Sequence, residues 1–383
     1  MRALKTQTRM ARRAASGLTA LACCAGGVSF ATGTASASVT RNYATAESVA
    51  AFGGMNGLVK AAKAEGGLNV ITLPADWANY GTIMKDFTAK YGIKITDENP
   101  DGSSQDEINA LVQLKGQSRE PDVFDMGTPF AVKAAQMGLL APYRVQTWDD
   151  IPASAKAANA DWWADYGGYI AIGYNSATVK TPPTTFKSLL NPAYKNMVGI
   201  NGNPTEAGAA FSAVYASALA NGGSLDNIMP GIDYFAKLKK EGNFVPTTAS
   251  ATTVESGATP VVIWWDYLQE SEIASQVKTW KVVIPSDGIY AGYYDQAISK
   301  YAPHPAAARL WEEFLYSAQG QNLWLEGKAR PIELPTLVKD GTVDEAAYRA
   351  LPPVPKGTVH IATAAQMTAA ESVLAKEWSV KVG

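Results

Sequence analysis

The residues best suited to chemistry follow the apolar, strand-like runs of this chain, where aromatic rings and carboxylates recur together. Asp76 and Trp77 follow Asn69–Leu73, and Asp125 lies in Asp122–Met126. Thr205 and Glu206 follow Val198–Ile200, and Trp264, Trp265, Asp266 and Tyr267 follow Val261–Ile263. Tyr293, Tyr294 and Asp295 come shortly after Lys281–Pro285. Ring faces attract cations and carboxylates pair with ammonium groups, so the combination suits an organic amine. Each residue also has a structural use. Asp76 suits a helix N-cap, and Asp125 suits a turn after its strand. If the strand continues, Trp264 and Trp265 point to opposite faces and only one meets a ligand. Asp266 is the most informative, because a carboxylate after a buried apolar strand needs a reason. Thr205 and Glu206 open a helix whose free amides suit an anion, although the charge of Glu206 opposes one. The adjacent tyrosines raise a ferric reading, since phenolates bind hard Fe(III).

Elements must bring these residues together. Ile83, Met84, Phe87 and Tyr91 recur at helical spacing, with Gly92 as a C-cap. Ile93–Thr96 reads as the next strand, Gln105–Gln117 as a helix and Asp122–Met126 as a third strand. Strand–helix–strand order implies parallel pairing with helical crossovers, hence α/β architecture. A second series starts near Tyr174 and contains helices over Glu206–Ala220 and Ile232–Lys240. His304-Pro305 opens a further helix, with Pro in the first turn. A weaker helix spans Met55–Ala64.

The chain has 383 residues and a formal charge of −2, which suits two domains and argues against nucleic-acid binding. Residues 1–37 read as a secretory signal. They hold Arg2, Lys5, Arg9, Arg12 and Arg13 and no acid, then an uncharged stretch from Gly17 to Thr34, then Ala35-Ser36-Ala37. Removing them takes five of the 33 basic groups and leaves 28 against 35 acids, a net −7. Both cysteines, Cys23 and Cys24, lie in that segment, and Cys23 sits in a loose lipidation motif. Only His304 and His360 supply imidazole, which argues against zinc sites and against His-dependent acyl transfer. The sequence shows no nucleotide-binding glycine loop and no nucleophile elbow. No cofactor or metal is expected.

Five segments in order carry a resemblance. These are Lys85–Ile95, Pro121–Gly127 with Ala134–Tyr143, Tyr169–Ser176, Pro182–Pro192 with Val198–Pro204, and His304–Pro331. Together they span residues 66–332, and the chain resembles the extracellular solute-binding proteins of ABC importers. The likeness is to the branch with polyamine, ferric-iron, thiamine and aminophosphonate receptors. It implies a type 2 periplasmic-binding-protein fold: two α/β lobes joined by crossover hinge strands, with the ligand cleft between them. The expected layout is a signal over 1–37, a linker and docking helix over 38–66, and lobe 1 over 67–172. Lobe 2 is expected over 173–292, and a return segment to lobe 1 over 293–383. The resemblance further implies a monomer that binds a small solute and hands it to a membrane permease. The polyamine and ferric patterns are both incomplete. Matched to the ferric pattern, Tyr267 is followed by Leu268, and the Trp and Asp of the polyamine pattern fall on Gly292 and Tyr294. Competing readings are a secreted carboxylate-dependent glycosidase and an adhesive surface protein.

Overall fold

The computed structural model describes residues 43–383. The expected export signal, with Cys23 and Cys24, lies outside the described residues. The described residues form one compact unit.

Helix α1 (Met55–Glu65) leads into strand β1 (Gly67–Ile71), then α2 (Tyr80–Tyr91), β2 (Lys94–Glu98), α3 (Ser104–Gln113), β3 (Val123–Gly127), α4 (Thr128–Gln136) and the short β4 (Leu140–Ala141). Gly92 ends α2 in the left-handed region at φ 71°, as the sequence predicts. Helix α3 starts on a capping box between Ser103 and Asp106. It stops four residues before the expected end, where Leu114 leaves helical geometry and Gly116 turns at φ 71°. Asp76 caps nothing. Asn79 holds the N-cap position of α2 at φ 69° without a side-chain cap, directly after Ala78 at φ 45°.

Strands β1 and β2 pair in parallel. Reciprocal bonds link β1 to the start of β3. The Asp122 amide donates to the Asn69 carbonyl, and the Asn69 amide donates to the Asp122 carboxylate at 2.7 Å. That carboxylate also holds the His304 ring at 2.8 Å, so His304 serves the fold. The expected parallel pairing of this series is mixed in practice, because β3 pairs antiparallel with a later strand, β9 (Ala291–Ser299).

The second series supplies β6 (Val198–Ile200), α5 (Gly208–Ala220), α6 (Met229–Lys240), α7 (Ala251–Glu255) and β7 (Val261–Trp265). Strands β6 and β7 are parallel and wholly buried. The long strand β5 (Trp163–Asn175) connects the two series. Its first half pairs with β9, and its second half pairs with β7 and with β8 (Trp280–Val283). The result is two α/β lobes joined by crossover strands. A last helix, Ala364–Lys381, is capped by Thr363 and packs on α4 and α6.

Candidate ligand-binding site

The lobes meet where two glycines touch. A Cβ on Gly127, at the end of β3, would lie 2.9 Å from the Gly208 Cα at the start of α5, and the reciprocal distance is 3.0 Å. No larger residue fits at either position without separating the backbones. The Gln105 amide of α3 also donates to the Glu206 carbonyl at 3.1 Å. Two cavities flank this contact, and Gly208 and Tyr294 line both.

The larger chamber has a volume of about 660 Å³, the size of a small-molecule site. It lies beyond the carboxyl ends of β1, β2 and β3 on one side and of β6 and β7 on the other, where open α/β sheets present their ligand crevice. Seven carboxylates line it: Asp76, Asp101, Asp106, Glu107 and Asp125 from the first series, Glu206 and Glu272 from the second. No Lys, Arg or His is among the described residues that line it. Burial pushes the Glu272 carboxyl up to about 8, helped by the charges of Asp76 and then Asp101 across the chamber. Burial likewise holds the Asp125 carboxyl at about 7. Glu107 is raised by burial and next by Asp125, whose amide donates to it at 3.2 Å. Asp106 is committed to its capping box, accepting from the Ser103 amide and hydroxyl.

Aromatic side chains form one wall. The Trp77 ring lies 5.9 Å from Trp264 and 5.6 Å from Tyr294, near perpendicular to the latter. Its indole N–H donates to the Tyr166 hydroxyl at 2.7 Å, which donates to Asp125 at 2.6 Å. This chain of bonds fixes the Trp77 edge.

The strand-end residues divide between several places. Asp76, Trp77, Asp125, Glu206 and Trp264 line the acidic chamber. Trp265, Tyr293 and Asp295 line the second cavity, and Tyr294 stands between the two. The opposite-face expectation for Trp264 and Trp265 therefore matches their positions. Thr205 lines neither; its amide and hydroxyl both donate to Asn203 Oδ1 in a local turn. Tyr267 is fully buried, stacked on Trp265 at 6.1 Å.

Asp266 departs most from its expected place. It is fully buried, accepts from the Tyr169 amide at 2.8 Å and pairs with Arg330 at 2.9 Å. The Arg330 guanidinium also covers the Tyr169 ring at 4.8 Å. The reason for this buried carboxylate is thus a partner within the chain. It ties the helical turn after β7 to the crossover strand β5.

Sequence reasoning passed over Asp101, Asp106, Glu107 and Glu272. The first three follow β2, whose carboxyl end belongs to the same crevice, and the Ser103–Asp106 capping box was a readable signal there. Glu272 comes from a π-helical turn, Gln269–Ile273, a geometry frequent at functional sites and without a simple sequence mark.

Comparison with known proteins agrees with this architecture. AfuA from Actinobacillus pleuropneumoniae, solved with exogenous fructose-6-phosphate bound, superposes with a TM-score of 0.67 at 20% identity, covering 82% of this chain and 98% of that one. Iron-bound HitA from Pseudomonas aeruginosa gives 0.62 at 20% identity, covering 83% and 99%. A putative spermidine/putrescine ABC transporter protein from Listeria monocytogenes gives 0.60 at 14% identity, covering 82% and 99%. These likenesses concern the fold, and the ligands named with them are diverse. A family model described as bacterial extracellular solute-binding protein matches residues 118–354, more than half of the chain. That match implies a non-catalytic binding role outside the membrane and an ABC permease as partner. The chain belongs to the bacterial extracellular solute-binding proteins.

Proposed function

We propose that this protein captures an organic cation, an amine-bearing solute of the polyamine kind, and delivers it to an ABC permease by closure of its two lobes. One observation carries the reading: the interlobe chamber presents seven carboxylates and, among its described lining residues, no basic side chain. Such a field is costly when empty and is relieved by positive charge. Trp77, Trp264 and Tyr294 supply ring faces for the ligand's charged or methylene parts. Of the residues singled out at the strand ends, Asp76, Asp125 and Glu206 are the proposed carboxylate contacts, and Asp101 and Glu272 join them.

The ferric alternative is weaker. Tyr293 lines the other cavity and Tyr267 is buried under Trp265, so neither of these phenols lines the acidic chamber. An anion at the α5 N-terminus would meet Glu206 and a chamber without a basic partner. The lobe ranges 67–172, 173–292 and 293–383, release by cleavage after Ala37 and a monomeric state are retained as parts of this proposal. Lipid anchoring through Cys23 is the alternative to free secretion.

The test is calorimetric titration of the mature protein with unbranched diamines, spermidine, ferric citrate and fructose-6-phosphate. One-to-one binding of the amines alone supports the reading. Selective binding of either anionic probe defeats it.

A further inference from the structure

Tyr166 is fully buried and lines neither cavity, yet two residues of the acidic chamber end on its hydroxyl. The Trp77 indole N–H donates to it at 2.7 Å, and it donates to the Asp125 carboxylate at 2.6 Å. The direction is forced. An indole N–H only donates, so the hydroxyl oxygen accepts from Trp77 and its own proton is left for Asp125. Tyr166 sits in a β-bulge of the crossover strand β5, where the pairing with β9 slips between Ala164 and Gly167. A bulge re-aims a side chain. This one is pinned, because the Asp165 carboxylate accepts from the Tyr166 amide and from Gln296 at 2.7 Å. The Tyr166 ring is held against Trp324 at 5.1 Å and stacked on Tyr294 at 6.0 Å.

We propose that Tyr166 is the positioning residue of the acidic chamber: from the crossover strand, its hydroxyl orients the Trp77 ring and keeps the Asp125 carboxylate an acceptor that a cation can approach. This rests on the reading of the chamber as a cation site. The acids that face Asp125 are Glu107 on α3, Asp165 on β5, Asp295 on β9 and Glu312 on the helix Pro305–Leu315. The phenols that face it are Tyr80 at the start of α2, Tyr166 itself, Tyr267 after β7 and Tyr294 on β9. None of these groups is basic, so hydrogen bonds rather than an ion pair hold charge on Asp125. Burial pushes its carboxyl up to about 7. Of the bonds that oppose burial, the one from Tyr166 comes first, then those of Tyr80 and Asp165. Tyr166 acts on the solute only through the two chamber residues that it holds.

Tyr166→Phe keeps the ring contacts and removes only the hydroxyl. The lost bond favoured the ionised carboxylate, so its loss must raise the Asp125 carboxyl. Carbon-13 carboxyl NMR of the ligand-free mature protein, assigned with Asp125→Asn, is expected to show that midpoint rising by about one pH unit or more, as for a lost hydrogen bond to a charged group. The ionised share at pH 7 then drops from about a half to about a tenth. Diaminopentane affinity of the variant should therefore fall about fivefold against wild type at pH 7, and agree within about twofold at pH 9. A merely structural loss would be equal at both. With Asp125→Asn in place, Tyr166→Phe should cost less than about twofold. Wild type gives a readout that does not depend on the folding of Tyr166→Phe. Its buried Tyr166 hydroxyl proton should resonate downfield above pH 7 and move as Asp125 takes up a proton, a pH dependence that Asp125→Asn removes. An Asp125 midpoint unmoved in Tyr166→Phe, a loss equal at pH 7 and pH 9, or a hydroxyl signal indifferent to Asp125 overturns the proposal and leaves the cation reading standing. Failure of wild type to bind any diamine defeats that reading instead, while the Asp125 midpoint still decides the role of Tyr166.

Discussion

Glu272 is where the charge of the chamber is easiest to measure. Its carboxyl stands at about 8 in the empty chamber, raised first by burial and next by Asp76. An ammonium group seated among Glu272, Asp76 and Asp101 reverses the electrostatic cause and returns the carboxyl toward its ordinary value near 4.3. Binding then releases a proton at any pH between the two values. Affinity must therefore fall as pH drops below about 8. Half of the Glu272 carboxyls are protonated at pH 8 and nearly all at pH 6, so the loss over that interval is about 50-fold, or about 2.3 kcal/mol. Diaminopentane is a suitable probe, because alkylammonium groups stay charged through this range. Calorimetry in buffers of differing ionisation heat counts the released protons directly. Glu272→Gln should remove most of the slope, leaving the part due to Asp125, whose carboxyl stands at about 7. Affinity that is flat between pH 6 and 8, or an equally steep slope in Glu272→Gln, would refute the reasoning.

Asp266→Ala should lower unfolding free energy by about 3–5 kcal/mol, because it strands the buried Arg330 charge. Denaturant melts of the two single variants and of the double variant with Arg330→Leu should show a double loss smaller than the sum. Gly127→Val should fold but weaken diamine binding about tenfold or more, since its side chain must displace the α5 backbone at Gly208; small-angle scattering with ligand should report a more open particle than wild type. Without ligand, the protein should be more stable at pH 5 than at pH 8. The carboxyls of Asp97 at about 6, Asp125 at about 7, and Glu272 and Glu333 at about 8 all lie above their unfolded values. The folded state thus binds more protons, and its stability falls as pH rises through that range. A difference of about 5 °C or more in melting midpoint is expected, and a saturating diamine should shrink it.

The fold was legible in the sequence because its elements are short and strongly periodic. The stripe Ile83, Met84, Phe87, Tyr91 with Gly92 behind it specifies α2 almost to the residue. The unbroken apolar run Val261–Ile263 reads as a strand and forms the buried start of β7. What the sequence concealed was pairing across long separations. Strand β5 exchanges partners halfway along, from β9 to β7, and nothing local in Trp163–Asn175 marks the change. Register explains the split between Trp264 and Trp265. Successive residues of a strand face opposite sides, so two neighbouring indoles serve two different cavities.

The carboxylates show the same limit more sharply, and they suggest a rule for reading such clefts. An acid at a strand end matters to a ligand only if the chain leaves its charge unanswered. Asp266 looked the most purposeful of the candidates, yet its charge is answered by Arg330, 64 residues later in sequence. Asp106 is answered by its own helix start and Asp122 by His304. Asp76, Asp101 and Glu272 take part in no ion pair among the described residues, and they converge from opposite lobes on one space. Strand-end position alone selects all of these acids equally. Only the three-dimensional pairing separates charge consumed by the fold from charge left for a solute, and the unanswered part is what the proposed capture of a cation rests on.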